Sequence, residues 1–431
     1  MMKKLGLIFL TILMIAFSAA CSNDANSDAK ESDSKDKGSK DEPVELTFMM
    51  WGSEAHQEVY NKLIAKFNET HPNIKVKMES VPFPDYQQKI TVLAAGRELP
   101  DVGWVAERMV PQFMANGLLE DVSSFQEDKE YNMDDFFPST LDLFKKDNKL
   151  YGIPFSTPPM VMFYNKDLFV KAGEKTPNEH VAAGTWNWEQ FEKSAKAISS
   201  DGVYGANFFR DWNTWIALLS HTWSNGGDLF NKDHSKFTWN SPEGVETLKM
   251  LQRMMFTDSS HPKAGEQVSF DSGKIGMFFD VYSYVSAARN VKDFAWDIAP
   301  LPEGSEGRFP MLGQAGYGLF KGSKHPEEAK ELLKFFTSQE GITQTSTFFV
   351  PPRESVLSSD QFVNQPNNPP AESIKRAVLD EMDNARLQAG HIDWQKIDTA
   401  IQFGFDELFG QLKEPEEILK GMEEKINPIL K

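Results

Sequence analysis

Cysteine, cationic charge and long apolar runs are what this 431-residue chain is short of, and each shortage removes a class of function. A single cysteine, Cys21, excludes a disulfide framework and any cysteine-rich metal site. The 45 Lys and Arg stand against 63 Asp and Glu, a net charge of −18. That balance takes nucleic acid away as a default partner and speaks against electrostatic binding to anionic surfaces. After the first residues, no stretch approaches the roughly 20 apolar residues a bilayer span requires. His-Glu-x-x-His, the P-loop, Gly-x-Gly-x-x-Gly and Gly-x-Ser-x-Gly are all missing. The eight histidines are scattered, with no two at i, i+4. The carboxylates between Asp24 and Asp41 lack the glycine at the spacing of a calcium-binding EF-hand loop. No metal and no cofactor is expected.

What is present begins with a leader. Lys3 and Lys4 precede an apolar run from Leu5 to Phe17, followed by Ser18-Ala19-Ala20-Cys21. Small residues before a lone cysteine resemble a bacterial lipobox, with Ser18 where leucine is usual, so Cys21 is the expected lipidation site. A plain secretory signal with an incidental cysteine is the alternative. Residues 22–42 contain no aromatic and no aliphatic residue larger than alanine, and so read as a solvated tether. The expected order is a signal peptide over 1–20, a tether over 21–42, and a globular body after it.

The body is large enough for two domains, and its hydrophobic fraction of 40% with 33 Phe and 10 Trp allows large cores. Alternation from Val44 to Met50, a helical stripe through Val59, Leu63, Ile64 and Phe67, and alternation again at Ile74, Val76 and Met78 announce strand, helix and strand. A helix ending near Gly96 and a strand over 102–105 continue the pattern of a parallel α/β sheet. Ligands in such sheets sit at the carboxyl ends of strands, where the loops 51–54 and 105–109 fall. Residues 151–169 organise the rest. Tyr151, Ile153 and Phe155 read as a short strand, Pro158 and Pro159 break it, and Met160 to Tyr164 resumes as a buried strand. A strand, a rigid break and a second strand suit a chain leaving one globular body for another; a bulged strand in one large domain is the other reading. Asp297 to Pro302 reads as a second passage between bodies, and Val350 to Ser355 as a third. Trp188 to Ile198, Leu248 to Phe256, the segment after Pro326, and the tail through Ile418, Leu419, Met422 and Ile426 read as helices.

Aromatic residues recur beside carboxylates in the expected loops: Trp51 with Glu54, Trp104 with Glu107 and Arg108, Trp212 with Asp211 and Trp215, and Asp280 with Tyr282 and Tyr284. A flat ring covers the apolar C–H face of a pyranose, while carboxylates and arginine satisfy its hydroxyls. Each has a plainer reading. Trp215 and Trp188 stand at helical spacing among apolar residues and suit a core. Asp280 could simply cap the element after its strand, and Arg353 could form a surface ion pair instead of facing a cleft.

The stretches "ITVLAAGRELPDVGWV", "YGIPFSTPPMVMFYNKDLF", "SFDSGKIGMFFD", "IAPLPEGSEGR" and "KGSKHPEEAKELLKFFTS" together resemble the family 1 bacterial extracellular solute-binding proteins, the sugar ABC transporter substrate-binding lipoproteins. The resemblance implies a two-lobed, type II periplasmic-binding-protein-like α/β fold whose lobes are joined by a multi-segment hinge. The lobes would be 43–155 plus about 301–350, and 156–300 plus about 351–431. By resemblance the first-strand loop contributes Trp51, Ser53 and Glu54 to a sugar site, and the loop after "PDVGWV" contributes Trp104, Glu107 and Arg108. The crossing would add Phe155, Ser156 and Thr157, and the second lobe Trp212 with Tyr282 or Tyr284; Trp394 would stand near a further platform. The maltose-binding branch of the family has a carboxylate at the crossing and this chain has none.

Two functions are open to such a chain. One is a lipid-anchored, monomeric receptor at the outer face of a bacterial membrane, which closes on an oligosaccharide or related glycoside and delivers it to an ABC permease. The other is an extracellular glycoside hydrolase or lyase, with two acids drawn from Glu54, Glu107, Asp211 and Asp280. A glycerol-phosphodiester receptor on the same fold would need more cleft cations than Arg108, Arg210 and Arg353.

Overall fold

The computed structural model describes residues 43–210, 214–388 and 390–431. The leader, Cys21, the tether, Asp211 and Trp212 lie outside the described residues.

Nine strands make the two larger sheets: β1 (Val44–Met50), β2 (Ile74–Ser80), β3 (Val102–Ala106), β4 (Ile153–Ser156), β5 (Met160–Asn165), β6 (Tyr204–Asn207), β7 (Ile275–Val281), β8 (Trp296–Ala299) and β9 (Ala315–Leu319). The first sheet has the order β2-β1-β3-β9-β4, and the second β8-β5-β7-β6. β1 is parallel to β2 and β3, whereas β9 runs antiparallel to β3 and β4. In the second sheet β5 is antiparallel to β7 and β8, and β6 is parallel to β7.

Six helices supply much of the two larger cores: α1 (Glu54–Thr70), α2 (Phe83–Gly96), α3 (Trp188–Ile198), α4 (Pro326–Thr337), α5 (Trp394–Phe409) and α6 (Pro415–Ile426). α1 buries Tyr60, Leu63, Ile64 and Phe67, spaced one helical turn apart, so that the stripe turns on Tyr60 rather than the expected Val59. α3 starts where the Asn187 side chain accepts the Gln190 N–H at 2.9 Å, and it buries Trp188, Phe191, Ala195 and Ile198. Asp101 ties the first sheet together by accepting the Thr47 N–H at 2.7 Å and its hydroxyl at 2.8 Å.

The apolar run at 160–164 is explained by burial on both faces. Met160, Met162 and Tyr164 pack in one core with α3, α5 and α6. Val161 and Phe163 face the other way, into a core with Ile298 and Ile374. Pro154 lies inside β4, which is an edge strand, and the pairing with β9 shifts register between Ala315 and Gly316. The chain then leaves the first sheet between Ser156 and Met160.

The expected second passage at 297–302 is displaced. Trp296–Ala299 pairs with β5, and the segment after it stays with the second sheet. Leu301 and Met311 are in that core, and Trp186 Nε1–H donates to the Pro300 carbonyl at 3.0 Å. The return occurs at Gly313–Ala315, because hydrogen bonds to Trp186 and Arg308 hold residues 300–308 where they are. The third proline-rich segment straddles both bodies: Phe349 and Val356 pack on the first core, Val350 and Leu357 on the core that holds Val161 and Phe163.

Of the buried histidines in the second body, His221 and His261 are the most deeply buried and are neutral. His221 pairs with the Thr247 hydroxyl at 2.7 Å, and burial pushes it down to about 3. His261 accepts the Phe208 N–H on Nε2 at 3.0 Å and donates Nδ1–H to the Pro262 carbonyl at 2.7 Å; burial pushes it down to about 4. The unfolded chain protonates both near pH 6.5, so below that pH it binds more protons than the fold, and stability falls as the medium is acidified. Half-buried Glu107 and buried Asp297 and Glu381, pushed up by desolvation, titrate in the opposite sense. The expected result is a folding free energy whose acid-side slope drops by about 1.4 kcal/mol per pH unit in His221→Gln relative to the parent, read by urea unfolding across the pH range. The slope decides it, whatever the variant's absolute stability.

Candidate functional site

A cleft of about 520 Å³ opens where the two sheets face each other across the crossing segments. One wall carries Trp51 from the end of β1, His56 from the first turn of α1, Phe155 and Ser156 from the end of β4, and Ala315. The other carries Arg210 and the turn after β7, with Ser283, Tyr284, Ser286 and Ala287. Phe348 and Phe349 line it from just before the third crossing. Rings and small hydroxyls dominate.

Trp51 is half-buried and held edge-on by two rings behind it, Tyr86 at 4.9 Å and Trp104 at 4.9 Å. Trp104 itself is 1% exposed, which corrects its expected contact with ligand. It packs on Trp51, on Phe155 at 4.8 Å and on Phe349 at 5.5 Å, three residues of the cleft wall. It therefore packs behind the cleft wall.

Tyr284 lines the opposite wall, edge-on to Phe163 at 5.2 Å and Phe278 at 5.1 Å. Burial, with the nearby charges of Asp271 and Asp280, pushes its hydroxyl up to about 12, so it stays a neutral donor. Asp280 ends β7 and holds Arg210 bidentately: Nε–H donates to Oδ2 at 2.7 Å, and Nη2 to Oδ1. The guanidinium also sits 5.8 Å from the Tyr284 ring centre. Asp280 thus orients Arg210, and Arg210, not Asp280, lines the cleft.

The remaining expected residues separate. Ser53 is exposed and bonds to His56 rather than lining the cleft, and Glu54 is exposed at the start of α1. Glu107 is half-buried outside the lining; burial pushes its carboxyl up, opposed by the charge of Arg108, which is exposed. Thr157 is fully buried, its N–H donating to the Val350 carbonyl at 2.9 Å, so of the crossing trio only Phe155 and Ser156 reach the cleft. Tyr282 is 1% exposed, with its N–H on the Pro159 carbonyl at 2.9 Å and its ring against Phe362, so of the pair only Tyr284 lines the cleft. Trp394 stacks 6.4 Å from Trp215 on the second core, away from the cleft. Arg353, 1% exposed, lies between the rings of Tyr131 and Phe136 and joins a separate groove of about 310 Å³. It anchors the third crossing through a buried ion pair with Asp135 rather than a surface one, and it does not line the cleft.

Eight cleft residues were outside the expected ligand set; four are serines or alanines, and the other four are His56, Arg210, Phe348 and Phe349. Arg210 stands beside an aromatic cluster and was visible as a cation. Phe348 and Phe349 sit just before the proline-rich third crossing, which was the available signal. His56 carried none, being one of several scattered histidines.

Among the described residues no group of three or more His, Cys, Asp or Glu is placed to hold a metal ion, and no helix is long and apolar enough to cross a membrane.

Comparison with known proteins agrees with this architecture. An arabinooligosaccharide-binding protein of Bacillus subtilis (strain 168) is 26% identical across 97% of this chain and 98% of its own. The diacetylchitobiose binding protein of Streptomyces coelicolor is 24% identical over 83% of each chain. An ABC substrate-binding protein of Listeria monocytogenes, solved in complex with cycloalternan, superposes with a TM-score of 0.77 at 24% identity, covering 90% of this chain and 99% of that one. Maltose-bound MalE3 of T. maritima superposes with a TM-score of 0.75 at 22% identity, covering 90% and 100%. These structures share the two-lobed fold. The family described as bacterial extracellular solute-binding protein matches residues 52–343, and this chain belongs to it.

Proposed function

We propose that the protein is the receptor of an ABC importer and captures an uncharged oligosaccharide or related glycoside between its two bodies. The carrying observation is the cleft lining: Trp51 and Tyr284 on opposite walls, serine hydroxyls between them, and one cation, Arg210, already bonded to a carboxylate. Flat rings cover C–H faces at low conformational cost, and the hydroxyls and guanidinium meet the sugar's oxygens. An anionic phosphodiester would compete with Asp280 for the same guanidinium, which favours a neutral ligand.

A ligand touching both walls favours the closed arrangement by its differential affinity, with bending at the segments 156–160, 313–315 and 349–353. The closed form then docks on the permease, and no bond of the ligand is broken. Relatives that bind arabino-oligosaccharides and diacetylchitobiose set the first probes. The hydrolase reading is weaker, since Glu54 and Glu107 do not line the cleft and Asp280 is bonded to Arg210. The lipobox and tether support lipid anchoring at Cys21 outside the cell membrane, and the chain is proposed to act as a monomer.

The test is a thermal-shift and small-angle scattering screen with arabino-, chito- and malto-oligosaccharides. A raised melting temperature with a smaller radius of gyration for at least one is expected. Silence across the panel, or release of shorter sugars from it, would overturn the reading.

A further inference from the structure

His56 is the cleft residue with the most constrained chemistry. Its ring stacks 4.3 Å from Phe348 and lies 5.5 Å from Phe349, so α1 and the third crossing meet on it. Nδ1 is 3.3 Å from the Ser53 N–H and 2.9 Å from the Ser53 hydroxyl. A backbone N–H can only donate, so Nδ1 is an acceptor and the ring's proton is on Nε2. The imidazole thereby takes the place that Glu or Gln occupies in a capping box, closing the N-terminus of α1. The loop it closes is Trp51-Gly52-Ser53. Gly52 has φ +141, and a Cβ there would come within 3.1 Å of His56, so the loop wraps tightly over the ring.

Resting on the carbohydrate reading of the cleft, we infer that His56 is a positioning residue that holds the Trp51 platform in its ligand-binding place only while the imidazole is neutral, so that affinity falls on acidification. A second proton would have to go on Nδ1. It would turn that acceptor into a donor aimed at the Ser53 N–H, and add a positive charge at the positive end of a helix. The cap opens, and the loop carrying Trp51 is released. Burial already disfavours the charged ring, and desolvation alone accounts for the lowering. The charged groups around it do not offset this. Glu54 and Glu58 on α1 are exposed, the loop 51–53 and residues 346–349 carry no titratable side chain, and Arg210 across the cleft is bonded to Asp280.

The experiment measures the dissociation constant from about pH 7.5 to about pH 5 for the parent, His56→Gln and His56→Leu, using the arabino-, chito- or malto-oligosaccharide that shifts the melting temperature. Circular dichroism confirms folding at each pH. The parent is expected to weaken about fivefold over that range, by loss of the competent form. His56→Gln, whose amide can cap Ser53 without titrating, is expected to give a flat profile. His56→Leu, which keeps apolar contact with Phe348 but cannot cap, is expected to bind more weakly at every pH. A parent-like pH profile in His56→Gln, or parent-like affinity in His56→Leu near neutral pH, would overturn the inference. A ligand-free arm separates its failure from failure of the carbohydrate reading. Nitrogen-15 NMR of the histidine rings near pH 7 should find His56 protonated at Nε2 and bare at Nδ1, and the opposite tautomer would refute the cap whether or not any glycan binds.

Discussion

Arg353→Met is expected to lower the folding free energy by about 3–5 kcal/mol, the range for removing one partner of a buried, hydrogen-bonded charge. The guanidinium donates Nε–H to the Thr337 carbonyl at 2.8 Å, Nη2 to Tyr131 at 2.9 Å, and Nη1 to Asn132 at 2.9 Å and to Asp135 Oδ2 at 3.2 Å. Its plane is covered by Phe136 at 4.1 Å and Tyr131 at 4.9 Å. Asp135 reaches across to the Ser355 N–H at 2.9 Å, so one cluster binds residues 131–136, the end of α4 and the third crossing. Methionine fills part of the volume and none of the polar need, leaving carbonyls and a carboxylate without their donor. Urea unfolding measures the loss. Glycan affinity of the folded fraction should be unchanged, because Arg353 is not in the cleft lining. Parent-like stability combined with lost binding would return Arg353 to the ligand site.

The second large effect is on binding. Trp51→Ala is expected to weaken glycan affinity by about 2–3 kcal/mol, roughly 30- to 150-fold, the scale of an aromatic anchor at an interface centre. Trp51 is half-buried, so its removal uncovers part of Trp104 and Tyr86 but excavates no deep cavity, and the stability loss should be the smaller of the two effects. Trp51→Phe keeps a ring against those supports and should recover much of the affinity. Isothermal titration with the oligosaccharide found in the screen provides the numbers. An alanine variant that binds like the parent would remove Trp51 from the recognition surface and with it the aromatic argument for a sugar.

The elements were legible where one residue's surroundings are set by its near neighbours in the chain. The stripe on α3, the alternation of β1 and the all-apolar β5 need only periodicity and a core to face. The proline pair after β4 marked the first crossing for the same reason, since it removes two backbone donors. The second crossing was misplaced because Pro300 and Pro302 look the same whether the chain is leaving a body or folding along its surface. Trp186 and Arg308, over a hundred residues away and six residues on, decide that it stays.

By itself, then, the amino-acid order determined an acidic, cysteine-poor α/β chain, long enough for two domains, with aromatic residues near its strands, because those properties are composition and local spacing. Only the tertiary structure decided which rings face the cleft. Trp104, in the middle of β3, and Trp51, just past β1, both stand near charged residues in the sequence, yet one is a support and the other a surface. Likewise Asp280 and Arg353 are charged residues beside aromatics, and each turned out to be satisfied by protein partners far off in the chain. The physical reason is that exposure to a cleft depends on what packs behind a side chain from the other sheet and the returning crossings. That information is spread over residues hundreds of positions apart.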